Sequence, residues 1–176
     1  MLEFKQKILD IHGNLGIPKE YETERTLIQY FEESNLVDIE KDIFGRPQKL
    51  TPEAANSWSV MKRHAQNEDV VLRVVSAFRS IERQIEIIQK KLASGQHIAE
   101  ILKTCAAPGY SEHHSGRAID LTTIGCEEPL SETFDATEAF RWLEENAHYY
   151  SFKLSYPKGN KFGISYEPWH WAFSPK

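Results

Sequence analysis

Apolar residues recur at helical spacing at Ala54, Trp58, Met61 and Ala65. Immediately upstream, Thr51-Pro52-Glu53 has the chemistry of a helix start. Thr51 can cap the free N–H groups, Pro52 suits the first helical position, and Glu53 favours the positive end of the dipole. Residues 70–78 are rich in β-branched side chains and predict a buried strand. Ser80 then opens a second helix, with Ile81, Ile85, Ile88 and Leu92 along one face and Gly95 just past its end. Residues 97–103 predict a short helix, 116–122 a strand, and 137–147 a helix with Phe140 and Leu143 inward. Residues 152–156 and 163–173 predict two strands paired across a turn at Lys158-Gly159-Asn160.

The first fifty residues are harder to read. Leu27, Ile28, Tyr30 and Phe31 predict a helix over 21–33, and Gly45 with Pro47 predicts a loop over 42–47. The order of elements shows no sustained strand–helix–strand alternation. It therefore predicts an α+β domain with a small, mostly antiparallel sheet flanked by helices.

Composition narrows the function classes. At 176 residues, 40% hydrophobic and 27% charged, the chain suits one globular domain with a real core. The net charge is −5 and no Lys/Arg-rich run is present, so a nucleic-acid partner is not expected. No apolar stretch approaches the roughly 20 residues of a membrane span, and none is expected. Residues 1–10 carry charge throughout and do not read as a signal peptide, which predicts a cytoplasmic protein, or a periplasmic one if a leader had been removed. Cys105 and Cys126 are too few for a disulfide framework. They flank the most informative motif, so a single pairing stays open, although a cytoplasmic setting favours free thiols.

Of seven histidines, His12, His64, His97 and His148 stand alone among ordinary helix and loop residues. His113, His114 and His170 do not. His113 precedes Asp120 by seven residues across Ser115-Gly116, and His170 follows Glu167 by three across Pro168. Two histidines and a carboxylate from separate segments can supply three zinc ligands and leave a fourth position for water. In one continuous strand, residues seven or three apart point to opposite faces, so each pair needs a break in register. Ser115-Gly116 and Pro168 stand where those breaks are needed. Asp120 lies inside the apolar run Ala118-Ile119-Asp120-Leu121, where a carboxylate costs several kcal/mol unless a cation compensates it. Spacing alone does not choose between His113 and His114.

Three segments resemble a known family. Ser111-Glu112-His113-His114-Ser115-Gly116-Arg117-Ala118-Ile119-Asp120 is similar to the Ser-x-His-x-x-Gly-x-Ala-x-Asp motif of zinc D-alanyl-D-alanine carboxypeptidases, the group that includes the vancomycin-resistance carboxypeptidases and dipeptidases. Glu167-Pro168-Trp169-His170 resembles that family's Glu-x-x-Trp-His motif. Ser76-Ala77-Phe78-Arg79-Ser80 with Gln84 resembles its Ser-x-x-Arg-Ser segment and following glutamine. The three stand in the family's order across more than half the chain.

The resemblance implies a ligand set, His113, Asp120 and His170, for one Zn²⁺ per chain. It implies Glu167 as general base and Arg79 as stabiliser of the oxyanion. Gln84 and Ser111 become candidates for holding the substrate, and Trp169 for stiffening His170. The implied architecture is that of the lysostaphin, D-Ala-D-Ala peptidase and hedgehog group: one zinc peptidase domain over residues 1–176, with the sheet lining a zinc cleft and 1–50 a family-specific extension. The implied reaction is release of C-terminal D-alanine from a peptidoglycan stem peptide. L,D-carboxypeptidase, D-Ala-D-Ala dipeptidase, phage-lysin-type endopeptidase and non-catalytic hedgehog-like zinc module stay open as alternatives.

Overall fold

The computed structural model describes residues 2–175. In chain order the elements are α1 (Leu2–Leu15), α2 (Tyr21–Arg25), β1 (Val37–Asp38), β2 (Lys49–Leu50), α3 (Pro52–Asn67), β3 (Arg73–Ser76), α4 (Ile81–Ala93), α5 (Ile98–Thr104), β4 (Ala118–Thr122), α6 (Glu138–Asn146), β5 (Phe152–Leu154) and β6 (His170–Phe173). The central sheet is antiparallel, in the order β3-β4-β6-β5, and β1 and β2 form a separate two-stranded ladder. The α+β class and the small antiparallel sheet are as expected.

Local chemistry places the helices as read. The Thr51 hydroxyl accepts from the Ala54 N–H at the start of α3, and Ser80 accepts from the Arg83 N–H at the start of α4. Gly95 adopts φ +87° just beyond α4. Two cores result. The first joins Leu50, Trp58 and Met61 to Leu72, Val74, Ile119, Leu121, Phe140 and Trp171 beneath the sheet. The second joins Ile8, Leu15, Ile17 and Tyr21 to Ile81, Ile88, Ile101 and Leu102, so α1 packs against α4 and α5. The α4 face read from spacing holds: Ile81 and Ile88 are buried, Ile85 and Leu92 partly so.

Three expectations need correction. The helix expected over 21–33 is only Tyr21–Arg25, because Thr26 takes a left-handed φ of 50° and ends it. Beyond it the chain runs as a strap rather than a helix. Leu27 joins the second core and Phe31 stacks on Phe4 with ring centres 4.3 Å apart, so the apolar residues serve separate contacts. The strand expected over 70–78 is only Arg73–Ser76; the Val70 N–H bonds the Ala65 carbonyl and finishes the end of α3. The tight hairpin across Lys158-Gly159-Asn160 is absent. β5 and β6 do pair, Phe152 with Phe173 and Leu154 with Trp171, but residues 155–169 between them form a long loop.

One turn carries unusual steric weight. Gly116 ends the 3₁₀ turn Glu112–Ser115 with φ +63°, and its carbonyl accepts from the Thr51 N–H at 2.8 Å. A Cβ there would lie 2.6 Å from Leu36 Cδ2. Alanine at 116 would combine left-handed strain with a clash, and we expect Gly116→Ala to lower unfolding free energy by more than ~1 kcal/mol. Urea denaturation checks this, and an unchanged midpoint would contradict it.

Candidate metal centre

The sheet register builds the site. Ile119 and Leu121 point into the first core, so strand alternation sends Asp120 to the opposite face of β4. Asp120 pairs directly with His170 on β6 and with Ser76 on β3, across a register shift between Val74 and Ser76. The three side chains therefore form one row across three strands. His113 joins them from the 3₁₀ turn Glu112–Ser115, which Gly116 reverses into the approach to β4. Glu167 arrives from the turn before β6, where the His170 N–H bonds the Glu167 carbonyl at 3.1 Å. The breaks in register at Ser115-Gly116 and Pro168 are present.

His113, Asp120 and His170 are all buried, and their ligand atoms lie within 4.8 Å of one another. His113 Nε2 is 3.1 Å from Asp120 Oδ2, and His170 Nδ1 is 2.9 Å from Asp120 Oδ1. Each imidazole is held from behind. The His113 Nδ1–H donates to the Ala77 carbonyl at 2.6 Å, and the His170 Nε2–H donates to Glu112 at 2.9 Å. Those bonds set the tautomers and leave His113 Nε2 and His170 Nδ1 aimed at Asp120.

Electrostatics agree with a cation among them. Burial alone would raise the Asp120 carboxyl, but His113 and His170 hold it well below the usual carboxylate range. Burial would lower His170, yet Asp120 and Glu112 together push it up to about 10. His113, Asp120 and His170 are the residues that would hold a metal ion here, and its charge would stand in for that of the imidazolium proton. Two imidazole nitrogens and an ionised carboxylate are a donor set that suits zinc and leaves a coordination position open.

His114, the rival ligand by spacing, faces away. Its Nδ1–H donates to the Arg79 carbonyl at 2.6 Å and its Nε2 accepts from the Gly109 N–H at 3.2 Å. Burial pulls it down to about 4, so it stays neutral. His12 is likewise a structural histidine, 2.8 Å from the Pro108 carbonyl.

The triad lies at the base of a cleft of about 400 Å³ whose walls include Arg79, Ser111, Tyr156, Glu167 and Trp169. Burial pushes the Glu167 carboxyl up to about 7, against the opposing pull of His170, whose Nδ1 is 3.9 Å away. Arg79 donates to Gln84 Oε1 at 3.0 Å, to Ser76 Oγ at 3.1 Å and toward Asp120 Oδ2 at 3.5 Å. Gln84 is fully buried and does not line the cleft; its amide also donates to the Ala106 carbonyl at 2.6 Å. Tyr156 packs its ring against His170 at a tilt, with centroids 4.9 Å apart, while Trp169 lines the cleft wall. Cys105 also lines the cleft, and neither it nor Cys126 forms a disulfide.

Sequence reading missed two residues. Glu112 lies inside the quoted motif, and a carboxylate beside a ligand histidine is the usual partner of its second nitrogen. Tyr156 lay in a segment expected to be an ordinary strand.

Residues 47–176 match the family described as VanY, D-alanyl-D-alanine carboxypeptidase. Over 154 residues the chain is 35% identical to the putative carboxypeptidase YodJ of Bacillus subtilis, covering 83% of this chain but 55% of that protein, about half its length. Among solved structures, the LdcB LD-carboxypeptidase superposes with a TM-score of 0.71 at 32% identity, covering 81% of this chain and 69% of that one. A vancomycin-resistance D,D-pentapeptidase, a VanY mutant in complex with Zn(II), superposes with a TM-score of 0.64 at 26% identity, covering 85% and 87%. The chain therefore belongs to the VanY D-alanyl-D-alanine carboxypeptidase family.

Proposed function

We propose that the chain is a zinc-dependent carboxypeptidase that removes the C-terminal D-alanine from peptidoglycan-derived peptides. The observation that carries this reading is the sharing of one cleft by the His113-Asp120-His170 triad, a buried Glu167 and the Arg79 guanidinium. A zinc ion bound by the triad supplies Lewis acidity and lowers the pKa of a water toward ~7. Glu167 takes a proton from the attacking water and returns it to the departing amine. A carboxyl raised to about 7 is matched to both transfers. Arg79, fixed by Gln84 and Ser76, presents a cation where the carbonyl oxygen becomes an oxyanion. Ser111 lines the cleft and is placed to contact the substrate, whereas Gln84 acts through Arg79.

A purely structural zinc module needs neither a buried carboxyl with a raised pKa nor a cation beside the metal, so Glu167 and Arg79 favour the enzyme. One rival bond choice has specific support: the structural likeness to the LdcB LD-carboxypeptidase favours L,D cleavage of a tetrapeptide stem. Mass spectrometry of digests of tripeptide, tetrapeptide and pentapeptide stems, with free D-Ala-D-Ala, separates these choices. The D,D reading expects loss of one alanine from the pentapeptide alone, and loss from the tetrapeptide would assign L,D specificity.

Two substitutions test the roles. Glu167→Gln keeps the side chain's size but removes the base, and we expect it to retain zinc while turnover falls by roughly 10²–10⁴-fold. Near-normal turnover would move the base elsewhere. Arg79→Ala should lose about 10²-fold or more in kcat with its zinc intact, and Arg79→Lys should recover only part of that, having lost the planar fork. An Arg79→Ala enzyme with the full rate would make the residue structural.

A further inference from the structure

The strap over residues 27–36 lies outside the part of the chain that matches the family, yet it touches two of the three motif-bearing segments around the site. The Tyr30 N–H bonds the Gly109 carbonyl at 2.7 Å, and the Glu33 N–H bonds the carbonyl of His114, next to the ligand His113, at 2.9 Å. The Glu32 carboxylate accepts from the Ile81 N–H at the start of α4, two residues after Arg79. The Leu36 side chain packs against Gly116, leaving no room for a Cβ there.

Within this strap Tyr30 borders the same hollow as Glu112 and is partly buried. Glu112 is the carboxylate that receives the His170 Nε2–H at 2.9 Å. A carboxylate so placed offers two oxygens, and one hydrogen bond from His170 leaves acceptor capacity for a further donor. The Tyr30 hydroxyl lies within hydrogen-bonding reach of that carboxylate, and burial, the Glu112 charge and the contact between the two push its pKa well above the ordinary tyrosine value, so it remains an O–H donor.

We infer that residues 27–36 are an integral part of the metal centre: Tyr30 donates to Glu112, which fixes His170 for the cation. Tyr30 is thus a positioning residue acting through two intermediates, Glu112 and His170. The inference rests on the reading of His113, Asp120 and His170 as ligands. Its consequence is that a segment with no recognisable motif tunes zinc affinity.

The test is a double-mutant cycle on zinc affinity, measured on the full chain by competition with a chromophoric chelator. Glu112→Gln should weaken zinc binding by about 10–100-fold, as expected for loss of a carboxylate behind a ligand histidine. Tyr30→Phe keeps the ring and should weaken it by about three- to tenfold, the scale of one lost hydrogen bond. In the Glu112→Gln background the Tyr30→Phe effect should largely vanish, because the two act in series. A merely structural tyrosine would instead lower metal-free thermal stability and leave the cycle additive. Unchanged zinc affinity in Tyr30→Phe, or an undiminished effect on top of Glu112→Gln, would overturn the inference. If Glu112→Gln failed to fold, Tyr30→Phe against the wild type would still decide. A wild type that bound no zinc would overturn the metal reading itself, a result distinct from a normal wild type with an indifferent Tyr30→Phe.

Discussion

A carboxylate buried between two imidazoles is the constraint around which this molecule is arranged. Asp120 stands on a central strand with both neighbours, Ile119 and Leu121, committed to the core. An ionised carboxylate in such a place costs several kcal/mol unless positive charge is delivered to it. Delivery requires that β6 pair with β4 in the one register that sets His170 opposite Asp120. A slip of one residue would turn Trp171 toward the cleft and His170 into the core. It also requires a turn tight enough to swing His113 back over the strand, which Gly116 provides by its positive φ. The register, the glycine and the buried charge form one set of mutually dependent features.

The surrounding structure holds these groups rather than adding chemistry of its own. α4 begins right after Arg79, and its buried Gln84 reaches back to fix the guanidinium. The second core, built from α1, α4 and α5, anchors that helix from the side away from the sheet. His114, immediately beside the candidate ligand His113, is spent on the backbone of Arg79 and Gly109, so it ties the motif turn to the arginine. The proposed base Glu167 and the proposed oxyanion partner Arg79 thus reach one cleft from opposite ends of the chain's motif region.

The legible parts of this design were those whose physics is local. Thr51 and Ser80 cap helices through their own hydroxyls, and the isoleucines of α4 mark their face by spacing alone. Residues 116–122 read as a strand from a short apolar run, and Ala118–Thr122 forms it. The candidate ligands were visible as types, but spacing could not choose His113 over His114; that choice came from the family resemblance, and in the structure His114 is turned to the backbone of Arg79 and Gly109. What stayed hidden depends on contacts distant in sequence. Residues 21–33 carry apolar spacing that resembles a helix, yet Leu27 joins the second core while Phe31 packs on Phe4. The loop 155–169 replaced an expected hairpin because Tyr156 packs on His170 and the Glu167 N–H bonds the Tyr156 carbonyl, which holds the loop against the cleft. Gln84, expected at the substrate, is buried behind Arg79, a distinction of depth that no motif encodes.

The central claim is that His113, Asp120 and His170 together hold one zinc ion. X-ray absorption at the zinc edge tests it most directly. The account predicts one zinc per chain with a light-atom shell only, nitrogen and oxygen at about 2.0–2.2 Å, in a four-coordinate site. Because Cys105 shares the cleft, the contrary result is equally specific: a sulfur scatterer near ~2.3 Å. That result, or a chain that takes up no zinc, would contradict the assignment of the centre.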